Sequence, residues 1–488
     1  MGMIKDKQKL RAELEALSEA QKVDLILHLM DLVSQATSQV ERLTARVAEL
    51  EARLGMSSVN SSKPPSSDGD AKPSPKSLRQ KSGRKPGGQP GHAGTHLQQA
   101  CAPDEIVVCA PRHCTCGFCL DGVEASSVER RQVFDLVKKL MGITEYRIVT
   151  AKCPQCGRLI RAEAPPGVSG PAQYGPRFRG MLVYLRDYQL LPYGRLTRLC
   201  RDLLGAGVCK RTVETAQACA HDALLPFEQA VRGRLLDEAV LHADETGMRV
   251  EGKLQWFHSL SSAGLTLYQA HPRRGGEAIE ANGVIPAFDG TLVHDCWRPY
   301  FQYGGGHALC GAHLLRELAG VHENEGHRWA LEMSVLLGAV AETVAARGAE
   351  PPSAELADWF GQTYDDILAR GEPELPAPKK TPGKRGRPKN AKSANLHRRL
   401  ADHRDAVLLC LRDPAVPFTN NRAEQDIRMV KLRQKISGCA RTLAGAQIFA
   451  RIRGYISTSR KHGKDIFQNL VDAIAGSPWM PPPNAPTP

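Results

Sequence analysis

The sequence predicts a multidomain α+β protein: an N-terminal coiled coil, a zinc-ribbon-like module, a helical region of helix-turn-helix outline, and an α/β catalytic domain split by a helical insertion. Three observations predict it. A heptad seam near the N-terminus runs into a Ser/Pro-rich stretch, cysteines recur at metal-ligand spacing between residues 101 and 165, and strand-like and helical runs alternate from residue 233 onward. At 488 residues the chain exceeds one ordinary domain. Its 65 Lys and Arg against 52 Asp and Glu leave a formal charge of +13, which points to a polyanionic partner, nucleic acid before membrane. No apolar run approaches the ~20 residues of a membrane span. The opening MGMIKDKQKL lacks the apolar core of a signal peptide. A cytoplasmic location is therefore expected, with the 14 cysteines read as thiols or metal ligands rather than disulfides.

Residues 1–55 form the first unit. Ser18 and Gln21 fit a capping box, and apolar residues recur at Ile26, Leu29, Val33, Ala36, Val40, Leu43, Val47, Leu50 and Leu54. Steps alternating three and four make an a/d seam about four heptads long. Arg46 and Glu51 fall at g and e, where they would pair between chains, so a homo-oligomer is expected in preference to a helix packed on its own domain. Residues 56–100 then read as a basic disordered linker, SSVNSSKPPSSDGDAKPSPKS followed by the Gly- and cation-rich RQKSGRKPGGQPGHAG. The second part suits phosphates as well as it suits a solvated tether.

Residues 101–165 carry the cysteines. Cys153-Pro-Gln-Cys156-Gly is a knuckle whose partner lies in RHCTCGFC. Thiolates at this spacing grip one structural Zn²⁺, and Cys114, Cys116, Cys153 and Cys156 are the leading set. Cys114 is one residue short of the usual spacing, His113 stands in register three before Cys116, and Cys116 with Cys119 is a third option, so the first ligand stays open. In residues 170–232, LTRLCRDLLGAGVCKRTVETAQACA reads as helix, Gly turn, and a second helix opened by Lys210, Arg211 and Thr212. Arg211 is a candidate DNA contact; helix pairs joined by Gly turns are also common in cores.

Residues 233–317 begin the catalytic core. EAVLHADETGMRV, KLQWFHSL and GLTLYQAH are three strand-like runs; a helical stretch follows from about Gly276, then the strands GTLVHDCW and HALCGAH, the latter leading into the helix LLRELAG. That order is the order of a ribonuclease-H-like fold, in which the first and fourth strands lie side by side. Asp244 then ends the first strand and Asp295 the fourth, so the two carboxylates meet. Each follows an apolar run, where an acid costs free energy unless paired or metal-bound. Two Mg²⁺ (or Mn²⁺) ions held by three carboxylates suit phosphodiester chemistry. Glu424 supplies the third, from residues 416–476, after a helical insertion over 318–415. A capping box with Asn421 is the plainer role for Glu424, and the two are compatible. Arg422, Arg428, Lys431 and Arg433 flank it and suit phosphates. Glu245, Asp289 and Asp426 rank below the chosen three. His313 and Arg316 lie within one helical turn near the Asp295 strand, as active-site support or as a structural pair. RGRP, in the basic strip APKKTPGKRGRPKNAK, has the look of a minor-groove hook or of a plain loop.

Together NSSKPPSSD, GRKPGGQPGH, the cysteine pairs, LHADET, VHDCWRPY, CGAHLLREL, VPFTNNRAEQDIRMVKLRQKISG and YISTSRKHG make the sequence recognisable. Over nearly its whole length it resembles the DDE transposases of the insertion-sequence-66 family. The resemblance implies metal-dependent DNA cleavage and joining at element ends and in target DNA, and a nucleoid-associated bacterial protein. It places the family's catalytic triad on Asp244, Asp295 and Glu424, and it implies accessory proteins from the same element. CTC stands where the family's zinc segment often has CxxC, which bears on the first zinc ligand and not on the triad. A silent DNA-binding relative and a structure-specific nuclease of the same fold are the alternatives.

Overall fold

The computed structural model describes residues 18–54, 60, 99–109, 111–116, 118–122, 124, 127–134, 140–152, 154–155, 159–348, 350–378 and 390–483. The chain divides into two compact units, Ser77–Cys219 and Met1–Lys76 with Ala220–Pro488.

Helix α1 (Glu19–Leu54) has the span its capping residue and seam predict. Ile26, Val33, Val40, Leu43 and Val47 are exposed along it, Val33 by 64%.

In Ser77–Cys219, β1 (Thr150–Lys152) pairs antiparallel with β2 (Leu159–Arg161). Cys153 and Cys156 fall outside the described residues, while Cys114 and Cys116 are exposed thiols. Helix α2 (Pro176–Val183) is followed by α3 (Tyr193–Leu204) and α4 (Lys210–Ala223). Gly205 ends α3 in the left-handed region, φ 61°, and its N–H closes on the carbonyl of Arg201, the turn that a glycine there predicts. A buried polar chain ties the two helices: Tyr193 donates to Gln217 at 2.8 Å, and Gln217 donates to the buried Asp187 at 2.8 Å. Arg211 is exposed in the first turn of α4.

The larger unit opens with α5 (Leu225–Leu236) and a five-stranded sheet: β3 (Val240–Val250), β4 (Lys253–Ser261), β5 (Thr266–His271), β6 (Thr291–His294) and β7 (Gly306–Leu309). Their spatial order is β5-β4-β3-β6-β7. The first three strands are antiparallel; β6 and β7 run parallel to β3. Helix α6 (Gly276–Asn282) leads from β5 toward β6. Glu251 and Gly252, at φ 53° and 76°, make the tight β3–β4 hairpin that suits the right-handed twist of the strands. The hairpin also corrects one expectation. Asp244 does not end its strand, because β4 pairs with β3 as far as Val250, whereas β6 leaves β3 at His242. Asp244 lies just beyond the last parallel rung.

Helices α7 (Gly311–Glu325), α8 (Arg328–Ala346), α9 (Ala354–Gly371), α10 (Lys392–Asp402) and α11 (Arg404–Arg412) follow. Trp329, Met333, Leu337, Tyr364 and Leu400 join Val293, Leu309 and Phe418 in one buried cluster. The insertion thus shares its core with the sheet, and the boundary expected after residue 317 falls inside α7. By length and composition α8 is apolar enough to cross a membrane, a run the sequence reading did not pick out. Its Trp329, Ala330, Met333, Leu336, Leu337 and Val340 are buried in that cluster, which accounts for the composition. Residues 379–389, with RGRP, fall outside the described residues.

Three helices close the unit: α12 (Asn421–Ser437), α13 (Leu443–Lys461) and α14 (Ile466–Ile474). Helix α12 packs on β3 and β4, and α13 lies on β5. Gly454 permits the second approach, since a Cβ there would sit 3.2 Å from the carbonyl of Thr266.

Gly311 opens α7 and donates its N–H to the carbonyl of Phe418 at 2.9 Å. A Cβ at Gly311 would overlap the Phe418 ring. Gly311→Ala is expected to cost ~1–3 kcal/mol in chemical denaturation, the usual range for overpacking. Adding Phe418→Leu should recover part of the loss.

Candidate active site

Asp244 and Asp295 sit where the parallel ladder gives out. The last rung pairs His242 with Val293, and two residues further along each strand stand Asp244 and Asp295. Equal spacing from the last rung puts them at one level, Asp244 within β3 and Asp295 just past the end of β6. Their accepted hydrogen bonds are local: Glu245 N–H to Asp244 at 2.8 Å, and Trp297 N–H to Asp295 at 3.1 Å. Neither carboxylate forms an ion pair with a described residue. Burial first, then the charges of Glu245, Asp295 and Glu424, push the Asp244 carboxyl well above the ordinary carboxylate range. Burial also raises Asp295, against the pull of Arg274. Cys296, the next residue, has φ 68°, a left-handed conformation that a non-glycine residue adopts at a cost.

Glu424 lies in the first turn of α12, half-buried. Burial raises its carboxyl, while Arg316 and Arg428 oppose the shift and Asp295 adds to it. His313 Nδ1 stands 3.4 Å from Glu424 Oε1, Arg316 Nη2 3.9 Å from it, and the Cys310 thiol 3.9 Å from it. Burial, then Arg316 and Arg399, lower His313 to about 4, so its imidazole is neutral at neutral pH.

The capping box with Asn421 is absent. The N-cap of α12 is Asn420, and no side chain caps the helix. Asn420 is buried and turned inward. Its Nδ2 donates to the carbonyl of Ala243 at 2.7 Å, its Oδ1 lies 2.9 Å from His242 Nδ1, and its N–H reaches Cys310 Sγ at 3.2 Å. Since Nδ2 is the donor, Oδ1 must accept, so His242 carries its proton on Nδ1. Burial lowers His242 to about 4, which keeps it neutral.

The cations of α12 divide by face. Glu424, Arg428 and Lys431 stand at i, i+4 and i+7 and so share one face. Arg422 and Arg428 are exposed; Lys431 is half-buried and donates to the carbonyl of Gly247 at 3.0 Å. Arg433 is buried, with its guanidinium 4.0 Å from the Phe449 ring centroid, instead of facing a phosphate. The signal was in the sequence: Arg433 continues the Ala423, Ile427, Val430 stripe, which is the buried face.

Two of the rival carboxylates have other occupations. Glu245 is held by Arg274 at 2.5 Å and by the Tyr300 hydroxyl at 2.7 Å. Arg274 in turn lies 4.4 Å from the Trp297 ring centroid and 4.8 Å from that of Trp256. Asp426 accepts from Ser261, Thr266, Ser457 and Lys461. Burial raises it, but Lys461 and those hydroxyls outweigh burial and hold it below its ordinary value. Asp289 shows no such network, and nothing in the structure draws it to Asp244. Sequence reasoning missed Asn420, His242, Arg274, Tyr300 and Cys310. All but Arg274 lie in segments quoted above, yet none shows its role there, because each acts on a residue of another strand or helix.

The donor set fits a hard divalent cation. Asp244 and Asp295 are half-buried carboxylates with no ion pair among the described residues, and Asp244 feels the charges of Asp295 and Glu424, so they are the kind of oxygen donor such a cation takes. With cations on the adjoining helix face, the site suits a protein that acts on a polyanion. The sequence model of the IS66 transposase family matches residues 171–448, more than half of the chain, and the chain belongs to that family. It is a transposase. A family of unknown function matches residues 5–98. No curated protein shows significant similarity to the chain.

The raised carboxyls carry a sign. Between the ordinary carboxylate range and their higher folded values, the native state holds protons that the unfolded chain has released, so this site destabilises the fold increasingly as pH rises through that window. Asp244→Asn is expected to raise the melting temperature of EDTA-treated protein at neutral pH, with the gain shrinking as pH falls toward the ordinary carboxylate range. Differential scanning calorimetry of the two proteins over a pH series measures it.

Proposed function

We propose that this transposase cuts and joins DNA at the ends of an insertion element through Asp244, Asp295 and Glu424, on a ribonuclease-H-like core. The observation that carries the reading is the meeting of three distant segments: Asp244 and Asp295 at one level beyond the β3–β6 ladder, with Glu424 close enough for its charge to act on Asp244. The sheet order, with an antiparallel β3–β4–β5 and parallel β6 and β7, supports that fold.

Asp244, Asp295 and Glu424 would hold two divalent ions, Mg²⁺ or Mn²⁺, which supply activation of the attacking oxygen and charge for the leaving one. In the first step a water oxygen bonds to phosphorus, the P–O bond to the 3′ oxygen breaks, and a 3′ hydroxyl is freed. In the second the oxygen of that hydroxyl bonds to a phosphorus of target DNA, the P–O bond to the target's 3′ oxygen breaks, and the target strand leaves with a 3′ hydroxyl that takes up the proton. Arg422 and Arg428, exposed beside Glu424, grip the backbone. Arg316 aims the Glu424 carboxylate, and the neutral His313 meets the phosphate beside it. Arg274 neutralises Glu245, which leaves Asp244 and Asp295 free to serve as ligands.

Other parts complete the assembly. Arg211, exposed at the start of α4, contacts element DNA. A ribbon Zn²⁺ on Cys114, Cys116, Cys153 and Cys156 orders the cysteine region. His113 is the alternative to Cys114 as the first ligand. The exposed seam of α1 supports a coiled-coil homo-oligomer that brings two ends together, with accessory proteins of the element as further partners.

With purified protein and candidate ends, Asp244→Asn, Asp295→Asn and Glu424→Gln should each lower cleavage by more than about 100-fold while end binding persists, because ligand charge is lost and the basic surface is not. Wild-type binding without any cleavage would favour the silent relative. Cleavage retained by Glu424→Gln would remove Glu424 from the triad.

Val40→Asp with Val47→Asp places two like charges per chain in the seam. The double variant should dissociate in light scattering and lose strand transfer more than single-end cleavage. A monomeric wild type, with and without end DNA, would overturn the coil.

A further inference from the structure

The side chains around Glu424 include donors that a Mg²⁺ site has no use for. Cys310 ends the β7–α7 junction, and His313 lies one turn into α7. A ligand atom from each of Cys310, His313 and Glu424 lies within 4.8 Å of the others. Two of these separations are 3.4 Å, His313 Nδ1 to Glu424 Oε1, and 3.9 Å, Cys310 Sγ to Glu424 Oε1. A tetrahedral ion with bonds of ~2.0–2.3 Å spaces its ligand atoms by roughly 3.3–3.8 Å. His313 Nδ1 is buried and makes no hydrogen bond, so a lone pair or proton there is unused. A sulfur, an imidazole nitrogen and one carboxylate oxygen are the donors of a borderline-soft ion and not of a hard one.

We propose that Cys310, His313 and Glu424 form a site for a thiophilic divalent ion of the Zn²⁺ class, and that its occupation withdraws Glu424 from Asp244 and Asp295 and inhibits cleavage. The ion takes the place of the thiol proton that now lies between Cys310 and Glu424; that proton leaves to solvent. Three protein ligands leave the fourth position for water. Asn420 is the positioning residue, since its N–H fixes Cys310 Sγ and its backbone carbonyl receives the N–H of Glu424 at 3.2 Å. The inhibitory half rests on Glu424 serving cleavage; the binding half does not.

Metal-stripped full-length protein, titrated with Co²⁺ and followed by thiolate-to-metal charge-transfer absorption and bound equivalents, tests the site. Cys310→Ser should bind about one equivalent fewer than wild type, and exposed Cys439→Ser should bind the same as wild type. His313→Gln should weaken that equivalent by about 10- to 100-fold, and decides the matter if Cys310→Ser does not fold. Zn²⁺ added to Mg²⁺-dependent cleavage should inhibit wild type by more than about tenfold, and His313→Gln less, each relative to its own activity without Zn²⁺. Equal equivalents in wild type and Cys310→Ser, or unchanged Co²⁺ affinity in His313→Gln, would overturn the site. Co²⁺ binding at these residues without Zn²⁺ inhibition would overturn the inhibitory half. Cleavage retained by Glu424→Gln would instead strike the triad and leave the metal site standing.

Discussion

The buried amide of Asn420 fastens the helix of Glu424 to the strand of Asp244. It reaches across 178 residues to His242 and across 177 to the carbonyl of Ala243, the residue before Asp244. Its own N–H holds Cys310, so the β7–α7 junction is fixed at the same point. Three segments distant in the chain meet on one side chain and its peptide. Because the amide is spent inward, α12 begins without a side-chain cap, and the aim of Glu424 one turn later follows from the bridge. Both partners are buried, so removing either would leave the other unsatisfied, which makes the bridge cooperative.

Around that bridge the protein tolerates costs that a purely structural core would avoid. Asp244 and Asp295 are half-buried and form no ion pair among the described residues, and the chain turns through a left-handed Cys296 directly after Asp295. The neighbouring acids are paired by contrast: Glu245 with Arg274, Asp426 with Lys461 and three hydroxyls. Among the described residues an ion pair is therefore missing at only part of the acidic cluster, which sets Asp244 and Asp295 apart from Glu245 and Asp426. Strain and like charges are concentrated where the β3–β6 ladder ends, in the middle of the sheet, which is stability given up locally.

The helical insertion is not an appendage. Val293 and Leu309 of the sheet, Phe418 before α12, and Trp329, Leu337 and Tyr364 of the insertion belong to one cluster. Phe418 packs against the Gly311 backbone at the mouth of α7, so the insertion braces the strand-to-helix turn that carries Cys310 and His313.

Much of this was legible in the chain alone because the signals are local. Period-two runs gave β3 to β5, the a/d seam gave α1, and Gly205 gave the end of α3. The apolar lead-ins to Asp244 and Asp295 marked both acids as out of place in a core. Other features were settled only by packing. Arg433 reads as one more cation until its helix turns that face to Phe449. Asn421 reads as a cap until Asn420 takes the N-terminal position and points into the sheet. Glu245 and Asp426 read as rivals of the chosen acids until Arg274 and Lys461 are seen to pair with them. Sequence by itself determined the elements and the chemical types available, since backbone periodicity is a property of neighbours. Only the tertiary structure decided which acid lacks a partner and which cation faces solvent, because those depend on side chains that packing brings together from separate elements, as Arg274 is brought to Glu245 and Arg433 to Phe449.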